Sequence, residues 1–151
     1  MAEITKINSE NNQYIKKIAE LENKYFSQPL TEMEIYTLLA NKLYSVYVLS
    51  ENEQLSSYII AYTVLDETHI TSIASSEKRK GYAKRLLSFF ISEQAKNDVS
   101  LITLEARMSN TAAVNLYRSM GFVCDGIRKN IYEKPKEDGL IMHRIINGEF
   151  N

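Results

Sequence analysis

The chain has 151 residues, the usual size of one domain, and we expect a single folded domain over residues 1–151. Hydrophobic residues make up 44% of the sequence and charged residues 25%, which excludes a disordered chain with too few apolar side chains to fold. Lys and Arg number 18 and Asp and Glu 19, so the formal charge is −1 and neither nucleic acid nor an anionic membrane is an expected partner.

Composition also bears on the compartment and on metal binding. Residues 1–13 lack the apolar core of a signal peptide, and no apolar run approaches the roughly 20 residues that span a bilayer, so we expect a cytoplasmic protein. Cys124 is the only cysteine and is predicted to be a small packed side chain. His69 and His143 are far apart in sequence and are predicted to be structural, so no metal site is expected.

Two helices are predicted first. Over residues 11–26, the side chains on one helical face recur at spacings of three and four; they are Ile15, Ile18, Ala19, Glu22 and Tyr25. Thr31 and Glu34 have the Thr-x-x-Glu spacing of a capping box, which predicts a second helix ending near Asn41.

A β region follows and then a third helix. Residues 44–50, 55–65 and 69–74 are rich in β-branched and aromatic side chains and are separated by short polar turns, so they predict an antiparallel meander. From Gly81 the apolar spacing becomes helical and stays so to about Asn97.

The last third of the chain alternates strands and a helix. Residues 99–106 predict a strand, Ser109 is the predicted N-cap of a fourth helix, and Gly121 fits the left-handed residue that ends it. Residues 122–132 and 140–146 predict two more strands. The order ααβββαβαββ indicates an α/β (α+β) fold with a mixed, mostly antiparallel central sheet and helices on both faces.

The junction between the third strand and the third helix carries a basic turn. Lys78, Arg79, Lys80 and Lys84 surround Gly81, where the free amides of a helix N-terminus would favour an anion. This pattern predicts a phosphate cradle, and the alternative is a solvated surface loop, since one glycine and several lysines are common.

The same junction resembles the signature Gln/Arg-x-x-Gly-x-Gly/Ala of the GNAT acetyltransferases. Here the six residues run from Lys78 to Ala83, and Lys78 departs from the first position. The resemblance implies the GNAT fold and acetyl-CoA as cosubstrate. It also implies that backbone amides bind the pyrophosphate across the turn, at Arg79, Lys80, Gly81, Tyr82, Ala83 and Lys84.

The second half of the chain resembles the RimI-like ribosomal-protein-alanine acetyltransferases. Residues 104–113 (LEARMSNTAA) are similar to the family's Leu-Glu-Val-Arg-x-Ser-Asn-x-x-Ala, and residues 116–122 (LYRSMGF) to its Leu-Tyr-x-x-x-Gly-Phe. Residues 128–132 and 138–142 resemble two further motifs. The sequence departs from the family in a shorter loop after Ala74 and in Leu30, where the family tends to have tryptophan near the acceptor groove.

Two side chains are predicted to be catalytic. Acetyl transfer needs a neutral amine, a polarised thioester carbonyl and a proton for the departing thiolate. The resemblance implies that Glu105 is the general base and Tyr117 the general acid. The alternative for Glu105 is an edge carboxylate paired with Arg107 or Arg128, and the alternative for Tyr117 is a buried ring that packs in the core.

The remaining predicted contacts are to the cofactor. By resemblance, the amides of Ile73, Ala74 and Ser75 would polarise the carbonyl if their strand separates from its neighbour. Asn110 would contact acetyl-CoA or, alternatively, cap the fourth helix.

The expected acceptor is an α-amine at a protein N-terminus, by resemblance the N-terminal alanine of a small-subunit ribosomal protein. The alternatives are a lysine, polyamine or small-molecule amine as acceptor, and a non-catalytic acyl-CoA sensor.

Overall fold

The computed structural model describes residues 2–10, 12–77 and 80–146, so the predicted contact of Arg79 and the basic residue Lys78 lie outside the described residues. A short 3-10 turn at Asn12–Tyr14 leads into the first helix. The helices are α1 (Ile15–Tyr25), α2 (Glu32–Leu39), α3 (Tyr82–Lys96) and α4 (Thr111–Ser119). The strands are β1 (Ala2–Ile7), β2 (Tyr44–Glu51), β3 (Gln54–Val64), β4 (Glu67–Ser75), β5 (Leu101–Arg107), β6 (Val123–Tyr132) and β7 (Glu137–Ile145).

The N-terminal strand is an addition to the predicted order. β1 pairs antiparallel with β2 over six residues, from Ala2 opposite Glu51 to Ile7 opposite Val46. It lies at the edge of the sheet and exposes Glu3. Charged side chains are common in edge strands, and the polar composition of this segment therefore did not predict a strand. The remaining elements follow the predicted order ααβββαβαββ.

The helix ends agree with the sequence at two positions and correct it at a third. The Thr31 and Glu34 side chains each bond the other residue's backbone N–H, so the capping box at α2 is confirmed. Gly121 has a φ of +90°, as expected after a helix. The prediction of Ser109 as the cap of α4 is wrong: Asn110 Oδ1 accepts from the Ala113 N–H at 3.2 Å, because the helix begins one residue later.

One seven-stranded sheet organises the molecule, in the order β1-β2-β3-β4-β5-β7-β6. All neighbours are antiparallel except β4 and β5, which run parallel. Because side chains alternate along a strand, the sheet has two apolar faces, each covered by helices.

Two hydrophobic cores lie on these two faces. Tyr47 and Leu49 of β2 pack on the face covered by α3 and α4, around Phe90. Val46 and Val48, the alternate residues of the same strand, pack with α1 and α2 on the other face, around residues such as Ile18 and Ile35. Helices therefore lie on both faces, as predicted.

Candidate active site

The parallel strands β4 and β5 separate in the middle of the sheet. They pair only over three residues, from Glu67 opposite Leu101 to His69 opposite Thr103. Beyond that point β4 continues to Ser75 and β5 continues to Arg107 without pairing to each other. The gap opens the sheet between its two faces, and the predicted separation of the strand at Ile73 is present.

The open edge of β4 presents backbone amides. The Ser76 N–H donates to the Ser56 carbonyl on β3 at 2.8 Å. Since the N–H groups of a strand point alternately to its two sides, those of Ser75 and Ile73 point to the side that β5 has left. The N–H of Ala74 points the other way, toward β3. Two donors two residues apart therefore face the gap.

The N-terminus of α3 lies directly after the turn that follows β4. Gly81 is its N-cap with φ 77° and ψ 8°, a left-handed conformation that glycine adopts without strain, and no side chain caps the helix. The first helical hydrogen bond is donated by Arg85 to the Gly81 carbonyl at 3.1 Å, so the N–H groups of Tyr82, Ala83 and Lys84 have no helical partner. Lys80 and Lys84 are exposed beside them.

A cleft of about 460 Å³ occupies the gap between the strands. Its lining comes from the α1–α2 segment (residues 22–38), β4, β5, α4 and the end of β6, with one residue each from β2 and β3. Predicted site residues that line it are Ile73, Glu105, Asn110 and Tyr117. The cleft therefore brings together two predicted catalytic side chains and two predicted cofactor contacts.

Glu105 lies on the α1–α2 face of β5. Its neighbours Leu104 and Ala106 point into the core on the α3–α4 face, so alternation places Glu105 on the opposite side. Its Oε1 is 3.2 Å from Nη1 of Arg128, whose side chain is 59% exposed. The ion pair that was the alternative interpretation of Glu105 is present, and the carboxylate also lines the cleft.

Tyr117 approaches the same cleft from the α3–α4 face. Its ring packs against Phe122 with centroids 5.9 Å apart, and the residue is buried. Burial, followed by the nearby Tyr132, raises the pKa of the Tyr117 phenol, which is therefore protonated at physiological pH. The ring packs in the core, as the alternative required, and the residue remains part of the cleft lining.

Asn110 has its side-chain oxygen engaged. Asn110 lines the cleft, and because its Oδ1 caps α4, a contact to a cofactor would fall to the Nδ2 group. The helix-capping alternative is thus observed, and the cofactor contact stays a prediction.

A buried glutamate forms part of the cleft and was overlooked as a site residue. Glu22 is 2% exposed; its Oε2 accepts from the Tyr58 hydroxyl at 2.6 Å and its Oε1 from the Leu30 N–H at 3.1 Å. Burial, followed by the charge of Glu22, raises the pKa of Tyr58. The signal was in the sequence, because Glu22 is the one charged residue in the apolar stripe of α1.

Tyr132 and Arg107 complete the α1–α2 side of the cleft. The Arg107 guanidinium lies over the Tyr132 ring, 4.6 Å from its centroid. Burial, followed by the charge of Glu105, raises the pKa of Tyr132 to about 12. Sequence reasoning gave Tyr132 no role and offered Arg107 only as an alternative ion-pair partner of Glu105. The observed ion pair of Arg107 is with Glu137, 30 residues away in the chain.

The histidines and the cysteine lie outside this arrangement. His69 Nδ1 is 2.7 Å from Thr103 Oγ1, and His143 Nδ1 is 2.6 Å from Asp125 Oδ2. Cys124 is exposed, contrary to the prediction that it packs, because it lies on β6, the edge strand of the sheet. Within residues 2–10, 12–77 and 80–146, no cluster of three or more His, Cys, Asp or Glu could hold a metal ion. In the same ranges, no helix is long and apolar enough to cross a membrane.

Comparison with known proteins gives concordant matches. The model of the Acetyltransferase (GNAT) family matches residues 15–122. A Bacillus subtilis protein, provisionally named ribosomal protein bS18-alanine N-acetyltransferase, is 32% identical over 136 residues, covering 88% of this chain and 90% of its own. The Escherichia coli K12 protein of that name is 37% identical over 103 residues, 66% of this chain and 70% of its own.

A solved structure extends the likeness to the whole fold. The crystal structure of the ribosomal-protein-S18-alanine N-acetyltransferase from Escherichia coli superposes with a TM-score of 0.84 at 30% identity. The superposition covers 100% of this chain and 99% of that one.

Proposed function

The chain belongs to the GNAT acetyltransferase family, and on that premise we propose that it acetylates the N-terminal α-amine of a protein with acetyl-CoA. The proposed acceptor is the N-terminal alanine of ribosomal protein bS18, the substrate in the names of its relatives. We further propose that residues 1–151 form one catalytic domain. This domain would act in the cytoplasm, where the proposed ribosomal-protein substrate is found.

The observation that best supports this proposal is the placement of Glu105 and Tyr117 on opposite faces of one gap in the sheet. The α3 N-terminus lies on the face of Tyr117, so a cofactor whose phosphates bind there reaches the gap from that face. The amine would then enter from the α1–α2 face, where Glu105 lies. Both substrates would meet where β4 and β5 part.

Binding of acetyl-CoA would rest mainly on backbone groups. The N–H groups of Tyr82, Ala83 and Lys84 have no partner within the helix, and they suit a pyrophosphate because they lie at the positive end of the helix dipole. The N–H groups of Ile73 and Ser75 suit the thioester carbonyl, since donors fixed in advance stabilise the negative charge that develops on its oxygen. The predicted contacts of Arg79 and Lys80 belong to the same turn.

Glu105 is the proposed general base. A protein α-amine has a pKa of about 8, against about 10.4 for lysine, so one carboxylate suffices to take its proton near neutral pH. The free amine then attacks the carbonyl carbon, the C–N bond forms and the C–S bond breaks. The nitrogen releases its second proton to solvent as the amide forms. The side chains of Arg128 and Glu105 are 59% and 22% exposed, and an ion pair that solvent reaches contributes little energy. The pair therefore leaves the Glu105 carboxylate able to turn toward an amine in the cleft.

Tyr117 is the proposed donor to the departing sulfur. Its phenol has a raised pKa, above the roughly 8.5 of a thiol, so the proton stays largely on the phenol and the O–H stabilises the thiolate as a hydrogen-bond donor. The thiolate is finally protonated through solvent, which takes up the proton that the nitrogen releases, and the phenol keeps its own proton. Removing the hydroxyl would therefore slow the chemical step and leave binding largely unchanged.

An acceptor panel tests the proposal. Purified protein is incubated with acetyl-CoA and a short peptide that begins with alanine and contains one lysine, and product is located by mass spectrometry. The matched control is the same peptide with a blocked N-terminus. Modification of the first peptide only, at the α-amine, supports the proposal. Equal modification of both peptides would assign the activity to lysine, and preference for polyamines would contradict the proposed acceptor.

A further inference from the structure

Arg107 makes contacts that join the two walls on the α1–α2 side of the cleft. Its Nη2 donates to the carbonyl of Glu133 at 2.8 Å and to the Ser27 hydroxyl at 3.4 Å. Its Nη1 donates to the carbonyl of Pro135 at 2.8 Å and to Glu137 Oε1 at 3.2 Å. Ser27 belongs to the α1–α2 segment, Glu133 and Pro135 belong to the β6–β7 turn, and Glu137 is the first residue of β7.

The β6–β7 turn depends on these contacts, because strand pairing holds it only loosely. The register shifts between Arg128 and Tyr132, so β6 residues 129–131 lack paired partners on β7. Asn130 has a φ of 53°, and its N–H donates to the side-chain carboxylate of Asp138 and not to a backbone carbonyl of β7. A backbone bond from the Met108 N–H to the Asp138 carbonyl at 3.2 Å and the side-chain contacts centred on Arg107 therefore join the outer end of the hairpin to the body of the protein.

The geometry suits arginine and excludes lysine. A guanidinium presents five N–H donors in a rigid plane whose face stacks on an aromatic ring, whereas an ammonium is a compact charge with three donors. Here the plane serves two carbonyls, one carboxylate and one hydroxyl, and its face covers the Tyr132 ring. The Glu137 carboxylate is held by a second bond, from the Ser109 N–H at 2.7 Å, which connects the network to the start of α4.

We propose that Arg107 is a positioning residue for the acceptor, which sets the distance between the α1–α2 segment and the β6–β7 turn. The inference rests on the proposed function in assigning this side of the cleft to the peptide. Ser27, Tyr132 and Glu133 line the cleft with Arg107. A change in the position of either wall alters the peptide site, while the α3 N-terminus, which belongs to other elements, is unaffected.

The test compares Arg107→Lys and Arg107→Gln with Arg118→Gln, an exposed arginine on α4 that serves as the matched control. We expect kcat/KM for the peptide to fall by roughly 10-fold to 100-fold in both Arg107 variants, mainly through KM, since misplacement of about 1 Å has effects of this order. The Kd of acetyl-CoA should change less than about twofold, and the control should match wild type.

Amide hydrogen exchange on the same variants gives a readout without turnover. Exchange should accelerate in residues 26–30 and 131–138 and remain unchanged at the start of α3. If Arg107→Gln does not fold, Glu137→Gln weakens the contacts of Glu137 with Arg107 and with the Ser109 N–H and leaves the other contacts of Arg107 in place. It should produce a smaller change in the same direction.

An unchanged peptide KM, or an equal weakening of acetyl-CoA binding, would overturn the role of Arg107. If wild type acetylates no N-terminal peptide, the proposed function fails by itself. Hydrogen exchange then decides about Arg107: faster exchange in both walls upholds its positioning role, and unchanged exchange refutes it.

Discussion

The two sides of the cleft are built from different kinds of group. On the α3 side, the groups poised to meet a ligand are backbone amides, at the uncapped first turn after Gly81 and on the open edge of β4. On the α1–α2 side they are side chains that hold one another, Glu22 with Tyr58 and Arg107 with Glu137. Backbone amides are the same for every residue except proline, so the first side tolerates sequence change and the second does not.

The difference fits the two proposed ligands. Acetyl-CoA is the same molecule for every member of the family, and a backbone site can recognise it with few fixed side chains. The acceptor differs between enzymes, and a wall made of side chains can change with it. Substitutions of side chains should therefore alter peptide parameters most, and backbone changes should alter the affinity for acetyl-CoA most.

The largest effect is expected at Glu105. In Glu105→Gln the base is lost while the shape is kept, so kcat should fall by about 100-fold to 10,000-fold, the range for general acid–base catalysis. Acetyl-CoA affinity, measured by calorimetry, should be unchanged. Arg128→Gln is the control, because it breaks the ion pair and keeps the carboxylate. A loss in Arg128→Gln as large as in Glu105→Gln would assign the effect to the pair instead of the base.

Glu22 should matter for stability as well as for the peptide site. Glu22→Ala leaves the Tyr58 hydroxyl and the Leu30 N–H without their acceptor, which should lower the free energy of unfolding by about 2–4 kcal/mol in urea titration. Glu20→Ala, two residues earlier on the exposed face of the same helix, should change it by less than about 0.5 kcal/mol. Equal effects in the two variants would contradict a specific role for the buried carboxylate.

A substitution at Gly81 tests whether the backbone amides at the start of α3 bind acetyl-CoA. A Cβ at this position has open space around it, so Gly81→Ala acts only through φ, and the strain of roughly 1–2 kcal/mol should weaken acetyl-CoA binding about 5-fold to 30-fold. Gly126→Ala is the matched control, since its Cβ also meets nothing within 4 Å and its φ is not positive. If Gly81→Ala raises the KM for the peptide and leaves the Kd of acetyl-CoA constant, this turn does not bind acetyl-CoA.

The smallest effect is expected from the exposed lysines of the same turn. The Nζ of Lys80 lies 4.0 Å from Glu77 Oε2, and both Lys80 and Lys84 are exposed to solvent. Because exposed charges contribute little energy, Lys80→Ala and Lys84→Ala should each weaken acetyl-CoA binding no more than about fivefold. Binding measured at low and high salt checks this limit. A loss of a hundredfold in either variant would mean that side chains, and not amides, carry the cofactor site.

The sequence anticipated most of the fold and one side of the site. Periodicity located the helices and six strands, because each buries one face, and the glycine and basic residues before α3 form a continuous pattern. β1 was missed because an edge strand buries little. The contacts of Arg107 were also missed, since its partners lie about 30 or more residues away and no local pattern records them. Ser109 shows a third cause: neighbouring Ser and Asn are both good caps, and tertiary contacts decide between them.

The central claim is that an α-amine enters from the α1–α2 face and receives the acetyl group within the gap. Its most direct test is the mass of the N-terminal peptide of ribosomal protein bS18, isolated from cells that carry the gene and from cells that lack it. We expect an added acetyl group only where the gene is present. In cells that lack the gene, expression of the wild-type protein should restore it and expression of Glu105→Gln should not. Acetylation that persists without the gene would contradict the central claim.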